Sequence, residues 1–360
     1  MVQTFSSYEK YVSDFRAFAH DPHVNGPAWL HDIRKQGLES FKGLGFPTAT
    51  RGNERWKYSN VTPIAKATFE YPIEGSANGV SLQSIKTVAP WDESWARLVF
   101  VDGVFSSRLS TDKDRAEGLQ LANLKDAVME NGALVQEHLG RLATVDGDGF
   151  TAINTAFLRD GAVVYVPENS ASEAVLHLVF LTCERPKPTV THPRTLIIAC
   201  KQSRLTVIES YVSLSDAPYF TNTVAEIIAD DGAQIEHYRY LGESPRAFHI
   251  GTTRVRLGQD STFTSTSFAT GTRLARNDLN VLLDAPGGAC YLNGLYATAR
   301  KGHIDNHIDV DHAKPHTTSD QYFKGILSDR SRAVFSGRVL VRILKKISKQ
   351  IPERIVITTT

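Results

Sequence analysis

Cysteine is scarce: three residues in 360, at positions 183, 200 and 290. An odd number at wide spacing is no disulfide framework, and no Cys-x-x-Cys pair is present to seat zinc or a cluster. Each is read as a small buried hydrophobe. An excess of one charge is missing too. Forty basic residues against thirty-nine acidic leave a net charge of +1, so the positive surplus that drives non-specific nucleic-acid binding is absent. No apolar run reaches the ~18 residues of a membrane span. The polar start, Met-Val-Gln-Thr-Phe-Ser-Ser-Tyr-Glu, has no apolar signal core. The chain therefore reads as cytoplasmic, with neither membrane nor nucleic acid as a partner. Enzyme signatures are thin: no Gly-x-Ser-x-Gly elbow and no Walker-type loop, since Lys324-Gly325 lacks the upstream glycines.

What is present changes period along the chain. The first third has helical spacing. Ser6-x-x-Glu9 is a capping-box pattern, followed by Tyr8, Tyr11, Val12, Phe15 and Phe18 on one face. Pro27 suits the first turn of a second helix, in which Trp29, Leu30, Ile33, Leu38, Phe41 and Leu44 share a face and Gly37 is a weak spot. Gly45-Phe46-Pro47 ends it, and Arg51 to Asn60 is a polar segment holding Trp56 and Tyr58. A helical patch runs over about 121–142 and a short piece over 150–158. From Gly161 onward, thirteen short runs rich in Val, Ile, Thr, Tyr and Phe recur between turn residues such as Asp231-Gly232 and Pro286-Gly287-Gly288. Without intervening helices they exclude a Rossmann sheet and leave a sandwich, a barrel or a β-solenoid. The number of strands, and small polar runs such as Ser261 to Phe268, favour the solenoid.

The segment 303–312, His-Ile-Asp-Asn-His-Ile-Asp-Val-Asp-His, holds three of the twelve histidines, and His316 just beyond it is a fourth. As a strand over 303–310 it places His303, Asp305, His307 and Asp309 on one face and Ile304, Asn306, Ile308 and Val310 on the other. At ~3.3 Å per residue the two histidines four apart are about 13 Å apart, so one ion needs ligands from a neighbouring strand. His312 and His316 follow beside Pro315. A metal site, a solvent-facing polar face and a protein-binding face all remain open for this strand. His177 and His192 are isolated and read as structural. Paired carboxylates such as Asp230-Asp231 sit beside turns, where Asp bonds locally. The enzymatic alternative is a solenoid polysaccharide lyase or hydrolase using such pairs; a cupin-like metal protein comes third.

Asp305-Asn306-His307 with His312, then Ser319-x-Gln321-x-x-Lys324-Gly325-Ile326-Leu327, then Phe335-x-Gly337 and Val341, together resemble the SufB/SufD family of iron–sulfur cluster assembly proteins. Leu44-Gly45-Phe46-Pro47 with Glu54-x-Trp56-Lys57-Tyr58, the run Phe150 to Phe157 with Asp160-Gly161, Glu209-Ser-Tyr211 and Asn222 agree with it, over about 40–341. The few cysteines and the helical N-terminal part resemble SufD more than SufB. The resemblance implies a mainly β fold, a right-handed parallel β-helix preceded by a helical N-terminal region. It divides the chain into a helical region 1–95, a mixed connection 96–160, a β-helix core 161–341 and an atypical tail 342–360.

It also implies a non-catalytic scaffold subunit acting with a SufB-like protein and a SufC-like ATPase. No resident cofactor or metal follows; iron or an iron–sulfur cluster would be transient cargo of the complex. Asn306, His307, His312, Gln321, Lys324 and Gly325 carry the family pattern, in a structural or interface role. After Val341 the sequence departs from the family, which continues with a Cys-x-His-Gly segment and helices that dock SufC. A frameshift, a truncated gene or a short variant would each produce that departure. The expectation for the chain as written is that it aggregates or fails to hold SufC.

Overall fold

The computed structural model describes residues 5–21, 24, 26–49, 53–72, 77, 79–111, 118–342 and 355–359. All thirteen runs expected from Gly161 onward are strands, from Gly161–Val166 to Arg332–Val341. With five further strands they form, among the described residues, two nine-stranded sheets in which almost every neighbour is parallel. Consecutive strands alternate between the sheets: Gln234–Gly242, Thr262–Thr270, Ala289–Thr298 and Thr318–Leu327 stack in the first, while Phe248–Leu257, Leu274–Leu283, His303–His312 and Arg332–Val341 stack in the second. Gln234 lies beside Thr262, Thr262 beside Ala289 and Ala289 beside Thr318, steps of 28, 27 and 29 residues. One coil of a flattened β-solenoid thus takes two strands and two corners. This is why neither a sandwich nor a barrel fits: each strand pairs with the strand two ahead. Strand Ala96–Val101 also joins the first sheet, parallel to Ala171–Thr182, and Ile355–Thr359 lies beside Thr318–Leu327.

Period-2 alternation fills the interior between the sheets. Leu205, Val207, Ile235, Phe263, Cys290 and Leu292 from the first meet Val255, Val281, Ile308 and Val310 from the second in one cluster. Two coils interlock there. Gly294 pairs with Phe323, and Tyr296 pairs with Gly325. A Cβ on either glycine would overlap the facing ring. Of the three cysteines only Cys290 is fully buried, and burial pushes its thiol up to about 12; Cys183 and Cys200 are half-buried. None of the three is therefore poised as a thiolate.

The N-terminal part carries helices Phe5–Ala19, Ala28–Leu44 and Gly149–Ala156 among shorter pieces. The side chains of the Ser6–Glu9 capping pattern lie outside the described residues. Pro27 takes the N-cap position of the second helix, one residue before its first turn. Two expectations need correction here. The patch 121–142 is not one helix: Gln120–Asn123 is a strand, and helices Leu124–Glu130 and Gly132–His138 are broken at Asn131, whose ψ of 49° leaves the helical basin. Gly37 is a crossing point rather than a weak spot. A Cβ there would lie 2.6 Å from the amide nitrogen of Ala156 and 2.7 Å from the carbonyl of Ala152. The missing side chain lets the second helix touch the backbone of Gly149–Ala156, which outweighs the ~1 kcal/mol lost in helix propensity.

That last helix is wholly buried. Asp148 caps it, accepting from the amides of Phe150 and Thr151. Asn154 donates to the carbonyls of Pro193 and Asn222, and Asn222 donates to that of Phe150. The helix is thereby bonded onto the outer face of the second sheet. His177 and His192 are structural, as read: His177 meets Ser210 Oγ at 2.8 Å and His192 meets Asn222 at 3.2 Å. Burial lowers both to about 3. Their folded values lie below the ordinary 6.5, so the unfolded chain binds more protons between pH 6.5 and 3 and stability falls as pH drops through that window. The slope approaches about 1.4 kcal/mol per pH unit for each buried histidine. Urea midpoints measured from pH 7.5 down to 5 should fall, and the double variant His177→Asn/His192→Asn should flatten the curve. An unchanged curve in that variant refutes this account.

Candidate functional site

Alternation in strand His303–His312 is as expected, but its polar face is not open to solvent. Asp305 and Asp309 are 2% and 7% exposed. The reason is the segment Arg55–Ser59, which crosses this face although Ser59 lies 244 residues before His303 in sequence. Trp56 is buried, and its ring lies 4.1 Å beneath the Arg276 guanidinium. Arg276 pairs with Asp305 and reaches Asp278 at 3.5 Å. Asp278 also takes Arg55 at 2.6 Å and Arg254 at 2.8 Å. Ser59 Oγ donates to Asp305 and lies 3.2 Å from His303 Nε2. Burial alone would raise the Asp278 pKa, but Arg254, Arg55 and Arg276 drive it far below the usual carboxylate range. Burial lowers His303 and His307, so both imidazoles are neutral at pH 7. At the rim, Asp309 takes Arg338 at 3.0 Å, while His307 stands 3.8 Å from it, too far for a hydrogen bond.

Chemically this is a buried ion-pair lattice, in which Asp305 Oδ1 and Arg276 Nε lack a hydrogen-bond partner among the described residues. Each of these carboxylates is held by at least one arginine, and this lattice clamps the N-terminal segment to the solenoid. Among the described residues no group of three or more His, Cys, Asp or Glu is arranged to hold a metal ion.

The six motif residues do not converge. Asn306, His312, Gln321 and Gly325 are buried, while His307 faces outward from the second sheet and Lys324 outward from the first. His312, which falls inside the strand rather than past it, bridges Thr317 Oγ1 at 2.7 Å and Ser319 Oγ at 2.9 Å across a corner. Among the described residues, neither polar atom of the buried Gln321 amide has a hydrogen-bond partner. Lys324 lies between the exposed Tyr322 and Ile326.

Sequence reading missed two constellations. One is the arginine half of the lattice, Arg254 and Arg276 with Asp278; the opposite charges two apart in strand Leu274–Leu283 were the signal. The other lies inside the solenoid. Glu209 accepts from Thr195 at 2.8 Å and meets His237 Nε2 at 3.0 Å, while His237 Nδ1 meets Ser265. Burial opposes ionisation of Glu209, but His237 and Arg239 hold its pKa below the ordinary value. A parallel chain runs from Thr221 through Glu243 and His249 to Arg239 and Asn277.

Comparison with known proteins agrees with this architecture. The family described as "SUF system FeS cluster assembly, SufBD core domain" matches residues 180–348, and "SufBD protein N-terminal region" matches residues 5–178. An iron–sulfur cluster assembly SufBD family protein of Synechocystis is 27% identical over 317 residues, covering 86% of this chain and 69% of that protein. The iron–sulfur cluster assembly protein SufD of Escherichia coli is 25% identical over 309 residues, with 85% and 69% covered. SufB of Bacillus subtilis is 21% identical over 325 residues, with 87% and 68% covered.

Proposed function

The chain belongs to the SufBD family of the iron–sulfur cluster assembly system, and we propose that it works there as a SufD-like, non-catalytic subunit beside a SufB-like protein and a SufC-like ATPase. The observation that carries this reading is the pairing of both family regions with one continuous parallel solenoid whose family-motif residues point in three directions. Such residues hold coils together and present a surface; they do not meet around a substrate. The carboxylates of the most polar face are committed to arginines, which supports a structural role for them. Iron and sulfide are then cargo of the complex. The comparisons give the polysaccharide-cleaving alternative no support, and no described helix is long and apolar enough to cross a membrane.

Co-expression of the tagged chain with the SufB-like and SufC-like proteins of its source tests the reading. A complex of all three on gel filtration is expected, able to take up iron and sulfide with the visible absorbance of a cluster. A chain that elutes alone while the other two associate sinks it. The same experiment without the SufB-like protein reads whether this chain holds the ATPase by itself.

A further inference from the structure

Successive coils place a cation at the same corner. Arg246, Arg273, Arg300 with Lys301, and Arg330 occupy the turns where the first sheet passes into the second, and all five are exposed. The Arg330 amide donates to the carbonyl of Arg300, and the Arg273 amide to that of Ala247, so these turns are stacked directly. At ~4.8 Å per coil the ladder spans about 14 Å. It lines one groove of about 1220 Å³ whose floor includes Thr270 and Ala297.

Elsewhere on the solenoid, several cations meet carboxylates of the adjacent coil: Lys201 with Asp231, Arg256 with Asp230, Arg338 with Asp309, Arg342 with Asp311. Among the described residues none of the five groove cations makes an ion pair. Asp216 and Asp329 also line the groove, but the Asp329 carboxylate accepts the Arg300 amide instead. Like charges stacked at strand spacing repel one another, in a chain whose overall charge is nearly balanced.

We propose that this corner groove docks the acidic face of a helix from a protein partner. Carboxylates at i, i+4, i+7 and i+11 of a helix advance in steps of about 4.5–6 Å, close to one per coil. Single-stranded nucleic acid fits less well, because it needs aromatic stacking platforms and the groove lining has no aromatic side chain. The inference goes beyond the assembly reading, since it stands on this groove alone.

Fluorescence anisotropy of the full chain with a labelled, stapled helical peptide bearing glutamates on one face tests it. An isomer with the same glutamates spread around the helix is the comparison. The one-sided peptide should bind about tenfold tighter, the order that four exposed ion pairs supply together. Arg273→Glu/Arg300→Glu should remove that advantage, with an unchanged circular dichroism spectrum; these side chains are exposed, so the fold is not at stake. Equal binding of the two peptides overturns the proposal. So does an unaffected double variant, displacement of the peptide by a lower concentration of oligouridylate, or self-association of the chain that the same variant abolishes.

Discussion

Glu226→Ala should destabilise the protein by about 3–5 kcal/mol, the range for stripping one partner from a buried ion pair. Glu226 is fully buried and pairs with Arg194, itself 1% exposed, at 2.6 Å. Its other bonds go to the amides of Gly140, Leu142 and Ala143. One side chain on strand Phe220–Ala229 therefore satisfies the loop after helix Gly132–His138 and neutralises the arginine that holds Asn154. Removing it leaves three amides and a guanidinium without their acceptor inside the protein. Glu226→Gln keeps an acceptor oxygen and should lose less. Replacing Arg194 and Glu226 together by Leu and Met should cost less than Glu226→Ala, because no charge is then stranded. Guanidinium unfolding reads all three. A loss below about 1 kcal/mol for the alanine variant would show that water reaches this junction and that the pair is not the anchor.

Arg276→Ala should have an effect of similar size but a different signature. Arg276 is buried between Trp56 and the carboxylates of Asp278 and Asp305. Asp278 keeps Arg55 and Arg254, whereas among the described residues Asp305 keeps only the hydrogen bond donated by Ser59 Oγ. The variant should therefore loosen residues 54–60 from the solenoid before the solenoid itself unfolds. Hydrogen exchange of those amides should rise at least tenfold while that of strand Gln234–Gly242 stays unchanged, the mark of a local opening. The sign of its pH dependence follows from Asp278, whose folded pKa is depressed. The stabilisation is present above pH ~3.8 and is lost as pH falls below it. Uniform acceleration of exchange across the chain would mean the lattice supports the solenoid globally and not the segment.

The strands were legible because each coil repeats the same two demands. Alternate residues fill a narrow interior, and a corner every dozen or so residues needs Gly, Asp or Pro. Residues 234–240 and 262–268 therefore reveal themselves without reference to any distant part of the chain. The polar strand at 303–312 shows the limit of that argument. Alternation settles which side chains share a face; it carries nothing about Trp56 lying on that face, because the contact is made by a segment with no periodicity of its own. Gly37 was misread for the same reason. Its cost inside a helix is local and visible, whereas its benefit is the backbone of Ala152 and Ala156 pressed against it. The motif residues were found by resemblance, and their dispersal over interior, corner and two outer faces was not readable from spacing.

The reciprocal seats of Gly294 for Phe323 and of Tyr296 for Gly325 set a rule for inheritance. Ala289–Thr298 cannot exchange its glycine for a larger residue unless Thr318–Leu327 gives up a ring at the same time, and the reverse holds as well. The two coils form one unit of change. A lineage that gains or loses length in this stretch should do so by about fifty-six residues, two coils together, because a single coil added or deleted would set a ring against a side chain.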